Sequence, residues 1–418
     1  MIHTHPKFRL SGFSMVELMV AMAIGLIGMV IIFQVFETSE GIKRTTTSGG
    51  DAQQNGIIAL YNMEADLRNA GMGFNETSYT ECRSAGTVLG YDSARSTPDW
   101  ATVASPLRLV PVVITAGANA QTPDTIKVFY GSSTQVMSAA LLAADMIAPG
   151  TGQILLQSNY GFREGDLVIL LQPGSGKNCA LMEVTAPSNG GNPALLHDTT
   201  NYNLAWMTGT PVKTPRFNKA GGPGVFYTGA NTSNATRIFN LGNLYDTSGT
   251  VPVLNTYSIA SSNLIVQSDF NIVPAGNPSA GLPVTNPIAD NIVHLRAQYG
   301  LDDGVDNGSV TYHTNFVAND GIVDRFVSTT PANWAQVVSI RVAVLARSAL
   351  PEKPSAGAGG ACDATPAPTV PTWSGAAEGA TRGFDLSATV TAPDDWRCYR
   401  YRLFETTVPL RNWIWKAS

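Results

Sequence analysis

The feature that most constrains this chain is an uncharged apolar run near its N-terminus. From Leu18 to Phe36 the sequence reads LMVAMAIGLIGMVIIFQVF, in which the only amide side chain is that of Gln34. A stretch of about 20 apolar residues is long enough to cross a bilayer as a helix. The run is longer than the core of a secretory signal peptide and ends without a small-x-small cleavage site, which disfavours a removable signal. A plain anchor with Lys7 and Arg9 on the cytoplasmic side stays open as an alternative.

Glu17, at the start of this run, needs a partner because a carboxylate in hydrocarbon costs on the order of 3 kcal/mol. The segment from Gly12 to Leu18 reads GFSMVEL and resembles the class III signal of type IV prepilins. In that family a membrane peptidase cuts after the glycine, Gly12 in this sequence, and the new N-terminal residue, Phe13, is N-methylated. The resemblance implies that Glu17 then pairs with the N-terminal amine of a neighbouring subunit during assembly. A fixed amine and a carboxylate attract strongly in a low dielectric.

Composition and charge narrow the function classes. The 418 residues include 40 Gly and 25 Pro, and only 14% are charged, which favours a turn-rich β body over a coiled coil or a disordered chain. The formal net charge of −5 becomes −7 once a leader carrying Lys7 and Arg9 is removed. An acidic body lacks the basic face that nucleic-acid binding requires, so no nucleic-acid partner is expected.

A second helical pattern, over Asp51–Ala70, follows the apolar run. One stripe recurs at helical spacing and predicts an amphipathic helix that packs on a body through that stripe. Its members are Ile57, Tyr61, Glu64 and Leu67, flanked by Ile58 and Ala65. Gly71 is a natural stop, so a helix over Phe13–Ala70 would be about 87 Å long. The Thr45–Gly50 stretch, TTTSGG, is a poor helix former and predicts a break or kink.

Beyond residue 75, short strands between turns replace the helical pattern. The predicted strands are Thr125–Tyr130, Leu167–Leu171, Val293–Tyr299, Val338–Leu345 and Tyr399–Leu403. In the third strand, one face carries Val293, Leu295, Ala297 and Tyr299, and the other carries His294, Arg296 and Gln298. Long loops lie at Pro187–Ala235 and Pro351–Thr381, and the second is so rich in Gly, Pro and Ala that it should add little core.

These segments predict an α+β, pilin-like fold. A long N-terminal helix with an apolar N-terminal half packs on a β-rich globular head with long loops. The predicted boundaries are a leader over 1–12, a membrane-spanning half-helix over 13–36, an amphipathic half-helix over 37–71, and a head over 72–418. The head includes the low-complexity loop at about 351–381, and one head with insertions fits better than several domains because no internal repeat is found.

Four cysteines occur, Cys82, Cys179, Cys362 and Cys398, and none forms a CxxC pair. Zinc needs closely spaced ligands, whereas a body outside the membrane lies in an oxidising compartment, so disulfides are the better interpretation. Three pairings are possible. Cys362–Cys398 is favoured because it would tie the low-complexity loop to the strand that follows, and pilins resemble this in having a C-terminal disulfide-bounded region. Cys82–Cys179 is then the second predicted pair.

The sequence contains no catalytic signature, so no enzymatic activity is expected. Gly174–Lys177 lacks the earlier glycine of a phosphate-binding loop. The histidines are scattered, and His197, His294 and His313 are interpreted as surface or strand residues.

An acidic segment follows the Val293–Tyr299 strand. Asp, Asn and Gly at close spacing supply the oxygen ligands and tight turns that Ca²⁺ prefers, but Asp-Gly and Asn-Gly are also ordinary turn dipeptides. Two interpretations stay open, a polar turn without any cofactor and a calcium site. The candidate calcium ligands are Asp302, Asp303, Asp306, Asp320 and Asp324.

Three further stretches resemble the PilW family of minor pilins. They are DLRNAG at 66–71, IRVAVLARS at 340–348 and FETTVPLRN at 404–412. The resemblance implies a structural minor pilin that joins other minor pilins to prime type IV pilus assembly, at or near the filament tip. It would support pilus biogenesis, twitching motility and adhesion. Glu17 would carry the assembly role, and helix packing would come from Val20, Ile24, Ile27 and Ile31.

The same resemblance implies partners and a location. The partners would be other minor pilins, the major pilin, the prepilin peptidase, the inner-membrane assembly machinery and a tip adhesin. The chain would cross the inner membrane once, with its head in the periplasm, and would then enter an extracellular pilus. Two alternatives stay open: a type II secretion pseudopilin, which shares the prepilin start, and a membrane-anchored ligand-binding adhesin that does not assemble.

Overall fold

The first element of the chain is one long helix, α1 (Met15–Asn69), of 55 residues. The structure, a computed structural model, describes residues 12–74, 88–89, 109–136, 138–145, 153–172, 179–188, 190–218, 236–246, 251–272, 283–312, 314–354, 359–366, 369–390 and 395–414. At 1.5 Å per residue α1 is about 82 Å long. Its extent agrees with the predicted helix to within two residues at each end.

The predicted break in α1 is wrong, because the helix continues through Thr45–Gly50. The hydroxyl of Thr46 donates a hydrogen bond to the carbonyl of Ile42, one turn earlier, at 2.9 Å. Poor helix formers cost only tenths of a kcal/mol each, about 1 kcal/mol for glycine. Strong helical segments on both sides propagate through such a stretch because helix extension is cooperative.

The predicted stop at Gly71 is confirmed. Gly71 has φ +83°, a left-handed conformation that favours glycine. Its N–H donates to the carbonyl of Phe129 at 3.0 Å, so the chain turns directly onto the head.

The head is built from short strands. The first eleven are β1 (Val88–Leu89), β2 (Val112–Thr115), β3 (Thr125–Tyr130), β4 (Ala140–Leu141), β5 (Gln153–Leu155), β6 (Asp166–Leu171), β7 (Cys179–Glu183), β8 (Ala186–Ser188), β9 (Ala194–Leu196), β10 (Tyr202–Asn203) and β11 (Val212–Lys213). They are followed by β12 (Arg237–Asn243), β13 (Val253–Ala260), β14 (Asn263–Ile272), β15 (Pro283–Asp290), β16 (Ile292–Leu301), β17 (Arg325–Val327), β18 (Val337–Arg347), β19 (Tyr401–Pro409) and a short helix, α2 (Arg411–Ile414). The predicted strand at Tyr399 starts instead at Tyr401, because residues 396–398 form a 3-10 turn.

Hydrogen bonds join the described strands into three larger sheets. Sheet A has the order β1-β7-β6-β12-β4, sheet B the order β15-β14-β13-β3-β2, and sheet C the order β17-β16-β18-β19. A small sheet, β5-β9-β8, and the β10-β11 hairpin lie beside them. Among the described strand pairs, only β1 and β7 run parallel.

The main core lies between α1 and the three larger sheets. Strand β6 lies between two cores, and its side chains point alternately into one and the other. Leu167, Ile169 and Leu171 point into the main core, and Val168 and Leu170 point into a second core shared with the small sheet. Burial of both faces explains why this strand reads as an uninterrupted apolar run.

Strand β16 is buried along its whole length, but its faces differ from the prediction. Ile292 lies in the main core with Leu295, whereas Val293 packs in a third cluster on the opposite face. The cause is a register shift between Ile292 and His294 in the pairing with β18. One extra residue at such an irregularity reverses the alternation, so the predicted grouping of Val293 with Leu295 is wrong.

The low-complexity segment contributes more to the core than predicted. Trp373 within it, and Arg382 and Leu386 directly after it, are buried. The indole N–H of Trp373 donates to the carbonyl of Arg382 at 2.6 Å. These residues lie in or beside short 3-10 turns that cover the polar face of β16. The average composition did not predict this burial, because a few large side chains stand among many Gly and Ala residues.

Candidate functional site

The start of α1 brings the predicted processing and assembly residues together in one exposed segment. The hydroxyl oxygen of Ser14 accepts a hydrogen bond from the N–H of Val16 at 3.2 Å, and the carboxylate of Glu17 accepts one from the N–H of Ser14 at 3.0 Å. This reciprocal arrangement is a capping box, which satisfies N–H groups that have no partner inside the helix. Within a single chain, Glu17 therefore already has a hydrogen-bond partner.

The bond between Gly12 and Phe13 lies just before the helix, in chain without regular structure. The Phe13 side chain is 87% exposed. A side chain added at Gly12 would meet no atom within 4 Å. This bond is therefore unobstructed by the described part of the chain, as cleavage by a membrane peptidase would require.

The apolar part of α1 has no cover within the described structure. Met15–Lys43, 29 residues, is long and apolar enough to cross a membrane. Its best 18-residue window has a mean hydropathy of 2.6, and none of that window is buried. The predicted packing residues are all more than half exposed: Val20, Ile24, Ile27 and Ile31. So large a continuous apolar surface needs lipid or partner helices around it.

The second half of α1 packs on the head through a face that differs from the predicted one. The buried members of this docking face are Ala52, Gly56, Ala59, Met63, Leu67 and Ala70. Leu67 is shared with the predicted stripe, but Ile57 and Tyr61 are 52% and 71% exposed, so that stripe is wrong in phase. The small residues allow α1 to approach the sheets closely, an advantage that a count of apolar positions does not register.

Gly56 shows how close this approach is. A Cβ atom placed on Gly56 would lie 2.1 Å from the ring of Phe404 on β19. Two non-bonded carbon atoms cannot lie so close together, so the ring would have to move. The contact joins the long helix to a strand whose sequence is one of the three family-like stretches.

Asp66 forms the main polar link between α1 and the head. Its carboxylate accepts hydrogen bonds from the hydroxyl of Tyr130 at 2.8 Å, the amide of Asn255 at 2.8 Å and the hydroxyl of Tyr257 at 2.6 Å. Burial, with the nearby Asp66 charge, raises the pKa of both tyrosines, so both stay protonated donors. Sequence reasoning missed Asp66, although it lies about two helical turns after Ala59 and one turn after Met63, beside the docking face.

The C-terminal end of the described chain closes over the other end of this junction. The side-chain amide of Asn412 donates to the carbonyl of Arg68 at 3.1 Å. The buried indole of Trp413 donates to the carbonyl of Trp334 at 3.0 Å. The end of α1 is thus fastened to the head by residues of α2 as well as by Asp66.

A buried charge cluster lies on the polar face of β16. Asp124 contacts Arg296 at 2.9 Å and Arg382 at 2.5 Å, and all three side chains are almost fully buried. Burial opposes ionisation of Asp124, but the hydrogen bond and charge of Arg382 outweigh it and lower the pKa of this carboxyl. Further N–H groups of Arg296 donate to the main-chain carbonyls of Thr122 and Gly383. Within the part of the chain that the structure describes, the three side chains are therefore enclosed by the fold.

His294 lies beside this cluster and is fully buried, so its interpretation as a strand residue is confirmed and a surface position is excluded. Its Nε2 atom is 3.0 Å from the carbonyl of Ala120, which it can serve as a donor. Burial, reinforced by the charge of Arg296, lowers the pKa of His294 from 6.5 to about 4. The ring is therefore neutral at physiological pH. His197 is also buried, and His313 lies outside the described residues.

The acidic segment uses its carboxylates to hold the chain in turns. Asp302 accepts N–H groups of residues 319–321, Asp303 pairs with Arg325 at 2.6 Å, and Asp324 accepts the N–H of Gly304 at 2.6 Å. Asp306 and Asp320 each accept an N–H two residues further along. In the part of the chain that the structure describes, no group of three or more His, Cys, Asp or Glu residues is placed to hold a metal ion. These contacts favour the polar-turn interpretation, and calcium binding at Asp302, Asp303, Asp306, Asp320 and Asp324 stays a prediction.

The predicted disulfide Cys362–Cys398 is confirmed. It closes the low-complexity segment just before β19 and so brackets Trp373, Arg382 and Leu386. Cys179 is buried on β7 and is disulfide-bonded. Its predicted partner, Cys82, lies outside the described residues, so the pair Cys82–Cys179 stays a prediction.

These features define a class of protein. The long helix begins with an uncovered apolar half, whose cap includes a glutamate five residues after a glycine, and its second half docks on a strand-rich head. This is the α+β architecture of a pilin. The chain is pilin-like in fold.

Two protein-family models match parts of the chain. Residues 273–412 match the PilW family model, described as type IV pilus-assembly protein W. Residues 8–33 match the prokaryotic N-terminal methylation motif. Both matches support a type IV pilus-associated pilin that is similar to the PilW family over residues 273–412 and has a prepilin-like start, in agreement with the sequence resemblance. No curated protein and no solved structure matches it.

The two matches correspond to distinct parts of the site. The methylation motif covers the processing bond and about the first two thirds of the apolar span. The PilW match covers sheet C and the first two residues of α2, including Phe404 and Asn412, which contact the docking face or the end of α1. Sheet A lies entirely outside both matches, and so does all of sheet B except β15.

Proposed function

We propose that this protein is a structural minor pilin that joins other minor pilins to prime type IV pilus assembly, at or near the tip of the filament. The observation that carries the proposal is the uncovered apolar span beginning at Glu17, joined without a break to a helix that is firmly docked on a head. Because this connection is rigid, the packing of the apolar half of the helix against other helices would also fix the position of the head. The protein has no catalytic role in this proposal and supports pilus biogenesis, twitching motility and adhesion.

The proposed pathway starts in the inner membrane. The chain crosses it once with its head in the periplasm, and the prepilin peptidase cuts between Gly12 and Phe13 and methylates Phe13. Other minor pilins, the major pilin and the inner-membrane assembly machinery then receive the processed subunit, and a tip adhesin docks on the head of the extracellular pilus. The removal of Lys7 and Arg9 leaves an uncharged span bounded by Glu17 and by the polar residues from Glu37 onward.

The capping box gives Glu17 two successive partners. Before assembly, the carboxylate accepts the N–H of Ser14 in its own chain. On assembly, it pairs with the methylated amine of a neighbouring subunit, and the ion pair is stronger than a hydrogen bond to a neutral N–H group. The exchange lets an ionised carboxylate stay in the membrane without being left unpaired at any stage.

The test compares Glu17→Ala, Ser14→Ala and Glu40→Ala in cells that assemble pili. Glu40 is a matched control because it is an exposed acid of α1 beyond the apolar run. We expect all three variants to be processed, and we expect only Glu17→Ala to be lost from sheared pili, with fewer surface pili and reduced twitching. If Ser14→Ala fails equally, Glu17 acts through the cap alone. Normal piliation with Glu17→Ala would contradict the assembly role and favour an anchored adhesin.

Deletion of the gene for this protein distinguishes a role in the pilus from a role in type II secretion. We expect loss of surface pili and twitching, with secretion of exported proteins unchanged. Loss of secretion alone would identify a type II secretion pseudopilin.

A further inference from the structure

The acidic segment carries an exposed apolar patch that the helix-based function does not use. Its large side chains are Val305, Tyr312, Val317 and Ile322, with exposed fractions of 44%, 65%, 45% and 45%. Elsewhere in the described head, large exposed apolar side chains such as Tyr160, Val212 and Leu350 lie far apart in sequence. Single exposed apolar residues need no explanation, whereas a contiguous patch marks an interaction surface.

Hydrogen bonds bring the parts of this patch together. Asp302 accepts the N–H of Gly321 at 2.7 Å and so holds the chain near Ile322 beside the end of β16. The hydroxyl of Tyr312 donates to the carbonyl of Val323 at 3.0 Å. Gly304, next to Val305, lies against Ala318, next to Val317, where an added Cβ would be 3.1 Å from the Ala318 nitrogen. The described residues of the range 302–324, which leave out residue 313, therefore form one surface, called the acidic loop below.

The acidic loop is fixed before any partner arrives. Asp324 is buried and accepts the N–H of Gly304 at 2.6 Å, and the Asp303–Arg325 ion pair closes the base of the loop at 2.6 Å. A surface ordered in advance loses less conformational entropy on binding. Buried carboxylates in this loop thus serve to present the apolar side chains.

The charge of the acidic loop indicates the chemistry of its partner. Residues 302–324 contain five aspartates and no lysine or arginine. Asp306 and Asp320 are exposed at the rim beside Val305 and Ile322. Complementary potentials at an interface favour a partner with basic residues around an apolar centre.

The position of the acidic loop excludes lipid as the occupant. The N–H of Asp302 donates to the carbonyl of Gln336 at 2.9 Å. Gln336 is two residues from Trp334, whose carbonyl accepts the hydrogen bond of Trp413 beside the end of α1. The end of α1 at Asn69 is about 39 Å along the helix from Lys43, where the candidate membrane span ends. The acidic surface therefore lies at the membrane-distal end of the helix, and anionic headgroups would repel it.

We propose that the acidic loop binds the head of a different pilus subunit that presents a basic, apolar patch. The proposal rests on the function proposed above in taking the partner to be a pilus subunit. It assigns the head a specific contact that is separate from helix packing through Glu17.

The test is photo-crosslinking in the full-length chain, in cells that assemble pili. A benzophenone amino acid replaces Val317 or Ile322, and Tyr160 and Val212 serve as matched positions because they are also exposed and apolar. We expect both loop positions to yield an adduct with one pilin-type protein, identified by mass spectrometry, and the two control positions to yield none. Adducts at all four positions, adducts only with a second copy of this chain, or no adduct at all would each overturn the proposal.

Charge variants test the electrostatic part. Asp306→Lys with Asp320→Lys should reduce the adduct about tenfold, the effect of losing roughly 1.4 kcal/mol of binding. Asp290→Lys, a reversal at an exposed acid on β15, should leave it unchanged. An unchanged adduct in the loop variant would overturn the basic-partner assignment. Processing at Phe13 and the Glu17 dependence of piliation are measured in the same cells, so failure of this contact is distinguished from failure of the proposed function.

Discussion

The hydroxyl of Tyr257 donates a hydrogen bond to the carboxylate of Asp66 at 2.6 Å, which joins the long helix to the central strand of sheet B. Tyr130 and Asn255 reach the same carboxylate. One acid on α1 thereby ties together two neighbouring strands of the head. The position of the head relative to the membrane span depends on this contact as well as on apolar packing.

Asp66→Ala should destabilise the docked head by about 2–3 kcal/mol, because hydrogen bonds to a charged group are lost and buried hydroxyls are left without an acceptor. Urea unfolding of the full chain in detergent, followed by tryptophan fluorescence, measures the change. Glu64→Gln, two residues away in a surface pair with Arg68, should change stability by less than about 0.5 kcal/mol. Equal effects of the two variants would contradict the role given to Asp66.

Gly56→Ala should destabilise the protein by about 1–3 kcal/mol, because the new methyl group displaces the ring of Phe404. Gly50→Ala, on the same helix with no atom within 4 Å, should instead stabilise it by up to about 1 kcal/mol through helix propensity. The opposite signs separate docking from helix formation. Phe404→Leu should recover part of the loss in a double-mutant cycle, and an additive result would show that the two residues are not coupled.

The sequence predicted the elements of this fold better than their faces. Apolar length located α1, and strand composition located β3, β6, β16 and β18, because these signals are local. The docking face was misjudged because Ile57 and Tyr61 offer larger apolar surfaces than Ala52 and Ala59, whereas close approach to the head, as at Gly56 against Phe404, selects small side chains. The alternation along β16 was misjudged at its start because a single irregularity at Ile292 reverses it.

The candidate site divides in the same way. The processing bond and Glu17 lie within one short motif, so they could be recognised without tertiary structure. Asp124, Arg296 and Arg382 meet across 172 and 258 residues of sequence, and no local pattern predicts such a cluster. The Cys362–Cys398 bond was predictable because it closes a single segment.

Asp124→Asn should be more destabilising than Arg382→Met. The first change leaves two buried guanidinium groups without a carboxylate and should cost about 3–5 kcal/mol. The second leaves a neutral Asp124–Arg296 pair and an apolar side chain that can still pack against Trp373. Unfolding in urea gives the order, and a larger loss for Arg382→Met would contradict the electrostatic account of this cluster.

His294 should make stability fall in mild acid. Its folded pKa of about 4 lies below the unfolded value of 6.5, so the unfolded chain binds a proton first as the pH falls. The contribution is fully present above pH 6.5 and is lost between 6.5 and about 4, by at most about 3 kcal/mol. His294→Gln should flatten this part of the stability profile relative to the unaltered chain. Parallel profiles for the two proteins would contradict the buried neutral histidine.

The central claim is that this chain is processed and assembled as a prepilin, and the mature N-terminus tests it most directly. Mass spectrometry of the protein isolated from its native membrane measures the N-terminal residue and its modification. The account predicts a chain that begins at N-methylated Phe13, with the twelve residues through Gly12 removed. A mature chain that begins at Met1, or at any residue other than methylated Phe13, would contradict it.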